Sequence, residues 1–215
     1  MSSTQKEFLK DLMEEDAAKF FEDTLSVDPV DGNLELGNGL HCSSPAYFIC
    51  CSSLLPSDHK SPGVEDTDFL VYATARPTGG SILAWAIICQ SDQHGRPIAA
   101  QVNFNPSGVD PQSNRDETVM TARHELTHGL GFTQTKFYQL GIIDEFNING
   151  KTVRRIISPK VAEVAESFYD CPDWGSAAGG EIEDGGGTGT AGSHWEKRVL
   201  SDVSSEPTRQ LFRTL

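Results

Sequence analysis

The sequence predicts an α+β protein, a small sheet with an amphipathic helix laid against it. Three observations carry this: β-rich apolar runs cluster between residues 68 and 104, a well-bounded helical pattern follows Pro111, and turn-forming residues separate the segments. Asp68 to Ala75 and Ile82 to Cys89 are rich in β-branched and aromatic residues and are parted by Pro77 and Gly79-Gly80, so they read as two buried strands. Ile98 to Phe104 alternates more regularly between Gly95-Arg96-Pro97 and Asn105-Pro106, the pattern of an edge strand. After Pro111 the period changes to that of a helix. Ser113 or Asn114 can cap it, Asp116 and Glu117 suit its first turn, and Val119, Ala122, Leu126 and Leu130 form one stripe. Gly129 and Gly131 mark its end.

Around this centre the sequence divides into four parts. Residues 1–27 hold an amphipathic helix in which Phe8, Leu9, Leu12, Met13, Phe20, Phe21 and Leu25 recur at helical spacing. Its polar face is mainly acidic, which favours packing on the main domain or a partner over lying on a membrane. Residues 28–132 form the subdomain with the strands and the central helix, opening with a loop-like stretch over 28–66. Residues 133–192 read as an insertion with one helix over 159–168, started by Pro159, and a glycine-rich loop: eight of the eighteen positions from Gly175 to Gly192 are glycine. Such a stretch is either a flexible linker or a backbone that approaches a site closely. Residues 193–215 carry His194 and a tail.

Charge excludes one class of function. With 17 Lys and Arg against 31 Asp and Glu, the net charge is −14 and no basic stripe is available to neutralise phosphates, so nucleic acid is not a partner. Long-range steering favours cationic partners. The longest apolar run, Ile82 to Cys89, has eight residues, whereas a membrane-spanning helix needs about 20. The opening residues show no signal-peptide pattern. Five cysteines, at 42, 50, 51, 89 and 171, contain no Cys-x-x-Cys pair and leave the redox compartment open.

The chemistry lies in His124-Glu125-Leu126-Thr127-His128. Residues four apart share a helix face, so two neutral imidazoles can reach one zinc ion at about 2.0–2.1 Å while the stripe through Leu126 faces the core. Residue frequencies give such a pentapeptide about a 1% chance of arising by composition alone, and its place late in a well-capped helix is where metal geometry requires it. Hydrolytic zinc needs a third protein ligand and an open position. At the compact metzincin spacing the chain has Gln134 in place of a histidine, so the ligand comes from further along. His194 is the one histidine downstream, 66 residues after His128. His41, His59 and His94 sit in loop-like segments and read as ordinary surface histidines.

His-Glu-x-x-His-Gly-Leu-Gly-Phe at 124–132, a long insertion, and Gly-Thr-Ala-Gly-Ser-His-Trp-Glu-Lys-Arg at 189–198 together resemble the leishmanolysin family of zinc metallopeptidases, within the metzincin clan. Leu55-Pro56, Asp66-Thr67-Asp68-Phe69, Leu83-Ala84-Trp85-Ala86, Cys89-Gln90 and Gly95-Arg96-Pro97-Ile98 resemble the amino-terminal catalytic subdomain of that family. The resemblance implies a metzincin-like mixed sheet with an active-site helix, an inserted segment and the start of a carboxy-terminal subdomain. It implies one Zn²⁺ per chain on His124, His128 and His194, with Glu125 as the catalytic carboxylate. Protein or peptide substrates follow, whose backbone would pair with the 98–104 strand. So does an extracellular or cell-surface setting, with a disulfide from Cys50 or Cys51 to Cys89. The family's methionine turn after the third histidine has no counterpart here, since no methionine follows Met120, and the tail from Val199 departs from the pattern. The expectation is therefore a fragment of the catalytic region. It would act as a zinc endopeptidase or, alternatively, as a catalytically impaired zinc-binding module for cell adhesion or binding.

Overall fold

Three strands form where the apolar runs predict them, shifted by up to two residues: β1 (Leu70–Ala75), β2 (Ala84–Ser91) and β3 (Pro97–Phe104). The computed structural model describes residues 1–37, 55–112, 115–170, 179–187 and 190–197. Contacts divide the chain into two units, Met1–Gly131 and Phe132–Leu215.

In the first unit the strand order is β1-β3-β2, with β3 parallel to β1 and antiparallel to β2, a mixed sheet. This corrects the expectation for residues 98–104, which form the central strand and offer no free edge to a substrate. The alternation that suggested an edge comes from Gln101 and Asn103, and both are fully buried. Gln101 Nε2 donates to Thr74 Oγ1 at 3.2 Å, and Thr74 Oγ1 donates to Asn103 Oδ1 at 2.9 Å. Asn103 also binds the Arg76 amide and carbonyl at 3.0 and 3.1 Å. Buried amides satisfied in this way imitate a solvent-facing row in the sequence.

Helix α3 (Arg115–Gly129) lies against this sheet, its capping position outside the described residues. Val119, Ala122 and Leu126 pack with Ala84, Val102 and Phe104 in one core. At its carboxy-terminal end a Cβ on Gly129 would stand 2.8 Å from the Ala100 Cβ, so glycine is what lets the helix end lie flush on β3. The amino-terminal helical segment completes this core. It runs through α1 (Ser3–Asp11), a π-helical stretch over Leu12–Ala18, and α2 (Lys19–Thr24), and opens with a capping box between Ser2 and Gln5. In a π turn residues five apart face nearly the same way. Leu12 and Ala17, both fully buried, therefore enter the core together with Leu9 and Met13. Arg115 ties the segment to α3 through Asp11, at 2.7 Å, and Asp16. A further cluster of Leu34, Leu36, Cys89, Ile98 and Ala99 brings the 34–36 segment onto the sheet.

The second unit contains more than the one helix and loop that sequence predicts. Helix α4 (Gln134–Gln139) is capped by Thr133 and leads into a hairpin of β4 (Ile143–Ile148) and β5 (Lys151–Ile156). Asn149 and Gly150 turn the hairpin at φ 52° and 82°, the left-handed values that Asn-Gly accepts readily. Helix α5 (Pro159–Tyr169) follows as expected, and β6 (Gly180–Ile182) adds to β5. Phe132, Phe137, Ile143, Ile156, Val161, Ile182 and Trp195 form the core of this unit.

Candidate metal centre

Helix α3 sets His124, Glu125 and His128 by its own period. Leu126 on the opposite face is 2% exposed and locks the helix rotation, so the two imidazoles, four residues apart, are left half-buried on the other side. Their Nε2 atoms stand 3.1 Å apart, with the rings at 85° to each other. A tetrahedral zinc about 2.0–2.1 Å from each of two ligands would hold those ligands roughly 3.3–3.4 Å apart, so the pair fits one ion without rearrangement of the helix. Imidazole donors suit zinc. Glu125 is buried at 8% exposure, and desolvation pushes its carboxyl up to about 7. A divalent cation nearby would favour its ionised form.

His194 sits in the second unit, in the turn that follows β6. Its Nδ1 lies 3.0 Å from the Thr190 carbonyl oxygen and 3.2 Å from Ser193 Oγ. A carbonyl only accepts, so the neutral ring donates through Nδ1 and keeps its lone pair on Nε2, the tautomer a metal ligand needs. The turn is fixed by backbone pairs: Glu183 N–H donates to the His194 carbonyl at 2.8 Å, and Gly192 N–H donates to the Glu183 carbonyl at 2.8 Å. Trp195 anchors the next position, 2% exposed and in edge contact with Phe132 at 5.1 Å.

The chain matches the family model described as leishmanolysin across residues 2–212. A leishmanolysin homolog of Crithidia fasciculata is 30% identical over 205 residues, which is 94% of this chain and 30% of that protein. Leishmanolysin of Leishmania donovani is 32% identical over 163 residues, 74% of this chain and 27% of that one. A leishmanolysin-like peptidase of Caenorhabditis elegans is 31% identical over 193 residues, 68% of this chain and 28% of its own length. The chain belongs to the leishmanolysin family. It spans less than a third of the length of these relatives.

Within this leishmanolysin-family chain the remaining expectations separate clearly. Cys89 is fully buried and disulfide-bonded, while Cys50 and Cys51, the partners expected for it, lie outside the described residues, as does His41. His59 Nδ1 pairs with the Tyr72 hydroxyl at 2.7 Å, and His94 is exposed in the β2–β3 turn. Glu183, Asp184 and Glu196 converge, with carboxylate oxygens within 4.8 Å of one another. Glu183 accepts from the Gly185 amide at 2.8 Å and Asp184 pairs with Lys151 at 2.6 Å, so these carboxylates brace the loop. Sequence reasoning passes over Thr190 and Glu183, which hold His194 through backbone atoms that leave no mark on residue identity.

Proposed function

We propose that this chain carries the zinc-binding catalytic region of a metalloendopeptidase, with His124, His128 and His194 as the protein ligands of one Zn²⁺ and Glu125 as the proton-handling carboxylate. The observation that carries the reading is the facing Nε2 pair of His124 and His128 on a helix whose intervening turn holds a buried glutamate. Support for His194 comes from its tautomer, fixed by the Thr190 carbonyl, and from the family motif around it. When bound, zinc supplies Lewis acidity, polarising a peptide carbonyl and making water a stronger acid.

The chain's own residues do the rest. Glu125 takes the proton from the attacking water and passes it to the leaving amine; burial raises the proton affinity of its carboxyl, and a bound cation would draw it back toward the ionised form that accepts the proton. Substrates are proteins or peptides. With β3 enclosed, the antiparallel edge strand β2 is the one we assign to pair with an extended substrate backbone. The disulfide at Cys89 supports an extracellular or cell-surface setting, because cytosolic thiols are kept reduced.

Purified protein should cleave an unstructured peptide, lose that activity to a chelator and regain it with zinc. Cleavage that persists undiminished after exhaustive chelation would refute the metallopeptidase reading.

A further inference from the structure

Gln134 stands ten residues after His124, where compact metzincins carry their third histidine. It is not idle there. A Cβ built on Gly192 would lie 2.7 Å from Gln134 Cδ and 2.9 Å from both Nε2 and Oε1. The Gly192 main chain therefore rests directly on the side-chain amide of Gln134, an approach closer than any other residue type allows, at φ 81°. Gly192 is buried and lies two residues before His194.

We propose that Gln134 is a positioning residue for His194: its amide is the seat on which the ligand-bearing turn is set. The inference rests on the reading of His194 as the third ligand. The turn is also joined to the strand end from which it springs, through Gly192 to Glu183, Glu183 to His194, Glu196 to Glu181 and the bridge between Ile182 and Trp195. These bonds all run to one element, β6 and its continuation. Gln134 comes from a different element. It opens α4, which is capped by Thr133 and rooted in the core by Phe137, itself in edge contact with Phe132 at 4.9 Å. Phe132 also contacts Trp195. Tilting the turn toward α4 would drive Gly192 into the amide, and tilting it away would open a void there. The position that supplies a ligand in compact metzincins thus supplies, in this chain, the support for a ligand delivered from elsewhere.

The test uses the full chain and two readouts, zinc affinity by competition with a chromophoric chelator and the visible spectrum of the Co²⁺-substituted protein. Gln134→Ala is expected to weaken zinc about 10-fold or more, the scale of lost supporting contacts around metal ligands, and to reduce the tetrahedral Co²⁺ absorption while the melt of the apoprotein is preserved. Gln134→Met, which refills the volume, should restore affinity to within about threefold of the parent, since the contact is one of shape. If Gln134→Ala fails to fold, Gln134→Asn, which withdraws the amide by one methylene, carries the same expectation as Gln134→Ala. Parent-like zinc affinity and Co²⁺ spectrum in both Gln134→Ala and Gln134→Asn, alongside loss of the metal in His194→Ala, would overturn the seat and leave the ligand reading standing. Parent-like affinity in His194→Ala would overturn the ligand reading itself.

Discussion

Packing alone does not explain the burial of Glu125. A carboxyl at 8% exposure costs stability by desolvation, and in return the helix keeps an acid of raised proton affinity beside two imidazoles. Replacing the carboxyl by an isosteric amide removes proton transfer without emptying the space. Glu125→Gln should lower peptide cleavage by about 10²–10⁴-fold while metal analysis still finds one zinc per chain. Equal turnover in this variant would end the proton-transfer role. These residues were legible in the sequence because identity and spacing alone carry the message: His-Glu-x-x-His on a helix needs no tertiary information. The support of His194 was not legible, because Thr190 contributes a carbonyl and Gly192 a bare main chain against Gln134.

Helix α3 serves as a rigid mount, and two contacts define how it sits. Its end touches β3 through Gly129 and Ala100, and the amino-terminal helical segment covers it through Leu12. Gly129→Ala should force the helix end away from the strand and cost about 1–3 kcal/mol in chemical denaturation, with a drop in zinc affinity because His128 is the adjacent residue. An unchanged denaturation midpoint would mean that the helix end has room to shift. Leu12→Ala, at a fully buried site inside the π-helical stretch, should cost about 2–5 kcal/mol by the same measurement. Element existence was largely readable from periodicity; strand position was not. Gln101 and Asn103 gave β3 the alternation of an edge, whereas their amides are spent on Thr74 and Arg76 within the sheet, a pairing that no local pattern announces. The β4–β5 hairpin did carry a turn signal, Asn149-Gly150, but its flanks do not alternate: the apolar residues Ile143, Phe146, Ile148, Val153 and Ile156 fall at uneven spacing.

For the molecule as a whole, metal and folding should be linked. An ion that binds the native chain and not the unfolded one stabilises it by about 2.7 kcal/mol at a hundredfold excess over Kd, so the thermal midpoint should rise with added zinc and fall with chelator. A net charge of −14 should also make capture of cationic peptides weaken as salt is raised. We propose one zinc ion held by two imidazoles of α3 and a third from 66 residues downstream. The most direct test is the zinc content of extensively dialysed protein. One zinc per chain is predicted for the parent and for His94→Ala, and none for His194→Ala; full zinc retention in His194→Ala would contradict the account.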